Sequence, residues 1–165
     1  MRKFLLALAS TLAMTTSSYA VAAVVSVPSA AASTPTVLRF DELPFQAVDG
    51  LTYKGVTFNF AIAGVPSGDA FYDAADGGNE KYVQDPSLEG NARGALTLTF
   101  ATPTHYLQFG LTRSASLAFV GGVVTLYGPH GGLIATYSIP TQVYVTYTEG
   151  LFTRHGRVPV KRAVM

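Results

Sequence analysis

The chain has 165 residues, about the size of one domain, and it contains no cysteine, which excludes a disulfide framework and a thiolate metal site. Its 11 basic and 10 acidic residues give a net charge of +1, a balance that does not favour nucleic-acid binding. The aromatic content of 12% is too high for a disordered chain.

The first 20 residues have the layout of a secretory signal peptide. Arg2 and Lys3 precede an apolar stretch over residues 4–14, and a small, polar segment ends at Ala20. The apolar stretch is shorter than the roughly 20 residues that a transmembrane helix needs. A buried N-terminal helix is the alternative, but the stretch shows no amphipathic face. We therefore expect cleavage after Ala20, with Ala23 and the alanines at 30–32 as later alternatives. Cleavage after Ala20 leaves nine basic residues against ten acidic ones.

Residues 21–36 are uncharged and rich in Ala, Val, Ser, Thr and Pro, which predicts an unstructured leader before a domain over residues 37–165. Residues 159–165 show no apolar tail and no lipidation motif. We expect a secreted, extracellular monomer with no nucleic-acid partner and, after signal cleavage, no membrane anchor.

From residue 37 onward, apolar residues alternate with polar ones, which is typical of half-buried strands. The alternating sets are Leu38 and Phe40; Val56, Phe58 and Phe60; Leu96, Leu98 and Phe100; Leu107, Phe109 and Leu111; Val124 and Leu126; and Val143, Val145 and Tyr147. The glycine-rich stretch 128–132 predicts a hairpin turn between strands over 123–127 and 133–139. Seven to nine short strands of this kind predict an all-β fold: a two-sheet antiparallel β-sandwich, with a jelly roll as the first choice.

Residues 64–90 interrupt the alternation and predict a long loop, which is uncommon unless it is functional. Charge is also uneven along the chain. Residues 33–90 carry nine acids and three bases, whereas residues 91–165 carry one acid and six bases. Part of this difference is expected to neutralise across the two sheets.

Several turn and strand signatures resemble those of a known family. They are FDELP at 40–44, DGLTYKGVTF at 49–58, QDPSLEG at 84–90, LTLTF at 96–100, EGLF at 149–152 and PVKRAV at 159–164. Together they resemble a family of small secreted microbial proteins, mostly uncharacterised, whose architecture is similar to jelly-roll, carbohydrate-binding-type modules. The resemblance implies a fold and leaves the activity open.

A structural calcium ion is the one cofactor for which the sequence offers candidates. Calcium takes six to eight oxygen ligands, and extracellular jelly-roll modules often carry such an ion near the chain ends. The candidate ligands are Asp41 and Glu42 at the end of the first predicted strand and Glu149 at the start of the last, with Asp73, Asp76 and Glu80 as a second set. Neither set has EF-hand spacing, and a turn cap is the alternative role for Asp41.

A glycan site is the main functional hypothesis, since sugar rings stack on exposed aromatic faces while amides bind their hydroxyls. The candidate ligand-binding residues are Tyr106, Gln108, Tyr127 and Tyr144 on predicted strands, and Tyr72 and Tyr82 in the 64–90 segment. The alternative is that these tyrosines pack at sheet edges with their hydroxyls in water. The chain has no tryptophan, the residue that carbohydrate modules usually use.

Catalytic motifs are absent from the sequence. No G-x-S-x-G elbow or H-E-x-x-H pair is present, and the carboxylates show no spacing typical of a glycosidase pair. The sequence therefore favours a secreted, non-catalytic module that binds a glycan or a cell-wall surface. The alternatives are a small polysaccharide-active enzyme on the same scaffold and a structural or host-interaction protein without a small ligand.

Overall fold

A computed structural model describes residues 35–74, 81–83, 86–114, 122–143 and 147–165. The predicted signal peptide, residues 21–34 of the leader, Asp76, Glu80 and Tyr144 lie outside these ranges. Residues 35–165 cluster as one compact unit. Within the described ranges, no helix has the length and hydropathy that a membrane span requires.

The described residues form an all-β structure of curled antiparallel sheets, which confirms the fold class that the alternation predicts. The strands are β1 (Gln46–Ala47), β2 (Thr52–Tyr53), β3 (Val56–Ile62), β4 (Val65–Pro66), β5 (Ala70–Ala74), β6 (Ser87–Gly90), β7 (Gly94–Ser114), β8 (Gly122–Tyr127), β9 (Leu133–Ile139), β10 (Gln142–Val143) and β11 (Tyr147–Val164). A smaller sheet has the order β1-β5-β6, and a larger one has the order β2-β3-β7-β11-β8-β9, with β4 on β3 and β10 on β11.

Strands β7 and β11 form a long antiparallel ribbon through the larger sheet. Their ladder is broken twice, because residues 156–159 of β11 and residues 100–103 of β7 have no regular partners. Each interruption contains a proline, Pro159 or Pro103, which lacks the N–H that a regular ladder needs. We call one regular part the near arm (residues 94–99 of β7, of which 97–99 pair with 162–164 of β11) and the other the far arm (106–114 with 147–155). Between the two interruptions, Val160 pairs with Thr104.

The core lies against the inner faces of both arms. Its fully or nearly buried members are Val48, Val56, Phe58, Phe60, Ala70, Tyr72, Phe100, Leu107, Val124, Leu126, Ile139, Phe152, Val160 and Ala163. Burial of large apolar side chains of this kind is the main stabilising term, at about 1.5–3 kcal/mol for each. The smaller sheet joins the core through Tyr72, whose ring packs edge-on against Phe40 and Phe58.

The predicted hairpin is confirmed. Strands β8 and β9 pair antiparallel, and the N–H of Gly128 donates to the carbonyl of Gly132 across the turn at 2.9 Å. Gly131 has a φ of 77°, in the left-handed region that favours glycine, which explains why the turn is glycine-rich. The hairpin packs on the far arm through Tyr137 and Phe152, whose ring centroids are 5.6 Å apart.

The segment around Leu38 and Phe40 was expected to be a strand, and this expectation is wrong. Both side chains are half-buried on the core, but residues 35–39 have no ladder partner. The Tyr72 hydroxyl donates instead to the carbonyl of Arg39, and the Arg39 N–H donates to the Glu42 carboxylate at 3.2 Å. These side-chain bonds to the backbone replace a ladder and bend the chain.

Three further expectations need correction. The predicted 64–90 loop contains β4, β5 and β6, because Ala70, Tyr72 and Ala74 alternate inward on a short strand. The prediction of only short strands fails at β7 and β11, which have 21 and 18 residues because the ribbon continues through its interruptions. Val143, predicted to face the core, is exposed on the two-residue strand β10.

Candidate functional site

The far arm presents a polar outer face opposite its buried inner face. Side chains directly opposite one another on paired strands point to the same side of a sheet. Tyr106 lies opposite His155 and Gln108 lies opposite Thr153, and all four are exposed. We call these four residues the far-arm platform.

The platform is held in place by its two strands. Leu107 is buried between Tyr106 and Gln108, and Phe109 packs against Phe152 with ring centroids 5.1 Å apart. Because these inner residues fix the ribbon, the outer ones have a fixed spacing. Gln108 Nε2 donates to Thr153 Oγ1 at 3.0 Å, which orients the amide. The Tyr106 side chain retains 41% of its exposure, so its ring is accessible.

The interruption at residues 156–159 adjoins the platform. The imidazole Nδ1 of His105 lies 2.9 Å from the carbonyl oxygen of Gly156, and Arg154 donates to the carbonyl of Val158 at 2.9 Å. Arg157 lies in the middle of this bulge and is exposed. Bulges often re-aim side chains next to functional sites.

Residues 81–83 cover the outer face of the far arm next to the platform, over Gly110 and Glu149. The Glu149 carboxylate on β11 accepts the N–H groups of Lys81 at 3.2 Å, of Tyr82, and of Val83 at 2.9 Å. Gly110 permits this approach, since a Cβ at that position would come within 2.6 Å of the Tyr82 carbonyl oxygen. Tyr82, which is 43% exposed, therefore lies over the same outer face that carries Gln108.

The structure does not bring the candidate calcium ligands together. Glu149 is 1% exposed, and its two oxygens face backbone N–H donors, which is the wrong polarity for a cation site. Glu42 pairs with the Lys54 ammonium, and Asp41 is exposed. Among the described residues, no group of three or more His, Asp and Glu side chains could hold a metal ion. The second candidate set retains only Asp73 within the described ranges, half-buried on β5.

Glu42 is the clearest electrostatic feature near the N-terminal segment. Its hydrogen bond to Lys54 holds the pKa of the carboxyl below its usual 4.5, and the N–H of Arg39 acts in the same direction against a partial desolvation. Lys54 also donates to the carbonyl of Val37 at 3.2 Å. This carboxylate therefore ties a chain segment to the sheet.

The remaining tyrosine candidates do not join the platform. Tyr72 is 0% exposed and bonded to Arg39, so its ring cannot meet a surface ligand. Tyr127 lies on β8, opposite Arg162 of the near arm and beyond the interruption, with the Arg162 guanidinium 4.1 Å from its ring centroid. Tyr144 lies outside the described residues.

The sequence did not single out Thr153, His155 or the anchoring role of Glu149. The sequence does hold a signal for Thr153 and His155. These two residues and Leu151 alternate with Phe152, which is buried, so the pattern places them together on the outward face of a strand. Glu149 stood out as the single acid of residues 91–165 and as a candidate calcium ligand, neither of which points to an anchoring role. Its partners are backbone amides, which any residue type supplies.

The assembled surface offers an aromatic ring, an amide, a hydroxyl and an imidazole on two paired strands, with a second tyrosine beside them. These groups can stack on a ring and exchange hydrogen bonds with hydroxyls. No family model, curated protein or solved structure matches the chain. Function is therefore argued from this geometry alone.

Proposed function

We propose that this protein, after export and removal of its first 20 residues, is a secreted, non-catalytic module that binds a glycan or cell-wall polysaccharide through the far-arm platform. The supporting observation is that Tyr106 and Gln108 project together from one face of the ribbon while Leu107 between them is buried. The same proposal includes a jelly-roll-like arrangement of the two sheets.

Each platform group has a role in this proposal. Tyr106 stacks on the apolar face of a sugar ring, and its rigid strand position keeps the entropy cost of binding low. Gln108 and Thr153, which are already bonded to each other, meet sugar hydroxyls in a fixed orientation. Tyr82, beside the platform, extends the contact.

The test is a glycan array followed by a pull-down on the insoluble polysaccharide that binds best. Tyr106→Ala should weaken binding by at least about tenfold, as expected for truncation of a central aromatic contact. Phe45→Ala is the matched control, because Phe45 is also an exposed aromatic residue, 61% accessible. Its ring stacks on that of Phe71 in the smaller sheet, with 4.9 Å between the ring centroids, and is not part of the far-arm platform. Thermal melts of both variants check folding.

Three results would overturn the proposal. If a folded Tyr106→Ala variant binds as tightly as the wild type, the platform is not the binding site. If Tyr106→Ala and Phe45→Ala lose binding equally, the loss is not specific to the platform. Release of reducing ends from the bound polysaccharide by the wild-type protein would show that the module is catalytic.

A further inference from the structure

The described residues of 91–165, which include the whole far-arm platform, expose no acidic side chain. Residues 91–165 contain six basic residues and one acid, and that acid, Glu149, is buried and bonded to three backbone N–H groups. In the described part of this stretch, therefore, no exposed side chain is a carboxylate.

Cationic and ionisable groups concentrate at the bulge end of the platform. His155 faces outward opposite Tyr106, and Arg157 is exposed two residues further along β11. His105 and Arg154 are bonded to carbonyls within the bulge, so they stiffen it. Among the described residues, Arg157 has no hydrogen-bond, ion-pair or ring partner.

The basic residues of the near arm, unlike Arg157, have contacts within the structure. Lys161 donates to the carbonyl of Ala101 at 2.9 Å, and Arg162 lies over the Tyr127 ring. Their cationic groups are engaged in contacts within the sheet. The guanidinium of Arg157, by contrast, is exposed and without a described partner, two residues along β11 from His155, which pairs with Tyr106.

We infer that the platform is selective for an acidic polysaccharide, with Tyr106 stacked on a sugar ring and Arg157 paired with a carboxylate of that ring or of its neighbour. A planar guanidinium forms paired hydrogen bonds with a carboxylate, which a neutral sugar does not offer. The described residues of 91–165 expose no carboxylate that would repel a polyanion bound on the platform. This inference rests on the proposed function and adds the chemical class of the ligand.

The experiment compares polymers that share a backbone and differ in charge. Polygalacturonate and alginate are each tested against their fully methyl-esterified forms, in EDTA so that calcium cannot bridge protein and polymer. The wild-type protein should bind the acidic form at least tenfold more tightly than the ester, and affinity should fall as salt rises from 50 to 500 mM, as roughly expected from screening.

Arg157→Gln should lose most of this preference while keeping the weaker binding to the ester. Arg93→Gln is the matched control, because Arg93 is also exposed but lies at the start of the near arm. The expected result is that the control keeps both the affinity and the preference of the wild type.

The outcomes separate this inference from the proposed function. The charge selectivity is overturned if the protein binds acidic and esterified forms equally, or binds neutral glycans alone. If Tyr106→Ala still loses binding in either case, the proposed glycan-binding function is kept. Binding of single-stranded DNA as tightly as of the acidic polymers overturns it as well. If Tyr106→Ala binds as tightly as the wild type, the platform is not the binding site and both proposals are wrong.

Discussion

Glu149 accepts the backbone N–H of Val83 at 2.9 Å, a contact that joins residues 66 positions apart and fixes a loop on the outer face of β11. The N–H groups of Lys81 and Tyr82 point to the same carboxylate. Aligned backbone amides stabilise an anion in the way that helix N-termini do, so a buried carboxylate is tolerated here. The acid that the sequence offered as a metal ligand is thereby an anchor for residues 81–83.

Replacing this anchor should destabilise the protein. Glu149→Gln puts an NH₂ group where three N–H donors converge, and at least one buried donor then loses its acceptor. We expect the free energy of unfolding in urea to fall by about 2–4 kcal/mol, since hydrogen bonds to charged groups are stronger than neutral ones. Glu89→Gln on β6, where the carboxylate is half-buried, should change it by less than about 1 kcal/mol. Equal effects of the two variants would contradict the anchor role.

The part of the fold that depends on local alternation could be predicted from the sequence. Phe58, Phe60 and Leu107 face the core as expected, because the period of two is a property of each strand by itself. The β8–β9 hairpin followed from turn residues that lie next to one another. Both signals need only a few neighbouring residues.

The rest depends on contacts between distant segments. Tyr72 shares the buried face of β5 with Ala70 and Ala74, but the small size of alanine hid a strand inside a polar segment. The continuity of β7 past Pro103 is set by β11, which lies more than 40 residues later. The convergence of backbone donors on Glu149 has no residue-type signature, so no pattern in the sequence could reveal it.

Tyr72 should give the protein a distinctive alkaline limit. Burial raises the pKa of Tyr72 to about 12 from an ordinary value of 10.0, with a smaller contribution from the Glu42 charge. The folded state therefore favours the neutral phenol, and this contribution to stability is complete below pH 10 and lost as the pH rises towards 12.

Tyr72→Phe removes this titration, so the fall in stability between pH 10 and 12 should become shallower. At pH 7 the variant should lose about 1 kcal/mol, because the bond to the Arg39 carbonyl is gone. Urea unfolding at several pH values measures both effects. Tyr106→Phe, at an exposed position, should leave the fall in the free energy of unfolding between pH 10 and 12 unchanged. If Tyr106→Phe makes that fall shallower by a similar amount, the buried Tyr72 phenol is not its cause.

Glu42 should contribute to the acid limit. Because the hydrogen bond from Lys54 lowers the pKa of this carboxyl below 4.5, its stabilising contribution is present above that pH and lost as the pH falls through the folded-state pKa. Glu42→Gln should therefore flatten the stability profile below pH 4.5. Asp41→Asn, at the exposed neighbouring residue, is the control, and an equal flattening there would exclude the Glu42–Lys54 pair as the cause.

Gly110 should be intolerant of any side chain, because residues 81–83 lie directly over it. A Cβ at this position would come 2.6 Å from the Tyr82 carbonyl oxygen and 2.9 Å from a Val83 methyl group, so Gly110→Ala must displace the segment. Overpacking of this kind costs about 1–3 kcal/mol. Hydrogen exchange at the amides of Tyr82 and Val83 should accelerate, since their bonds to Glu149 are strained or broken. Gly132→Ala, where a Cβ meets nothing within 4 Å, should leave exchange at these amides unchanged. Unaltered protection in Gly110→Ala would show that the segment does not depend on this close approach.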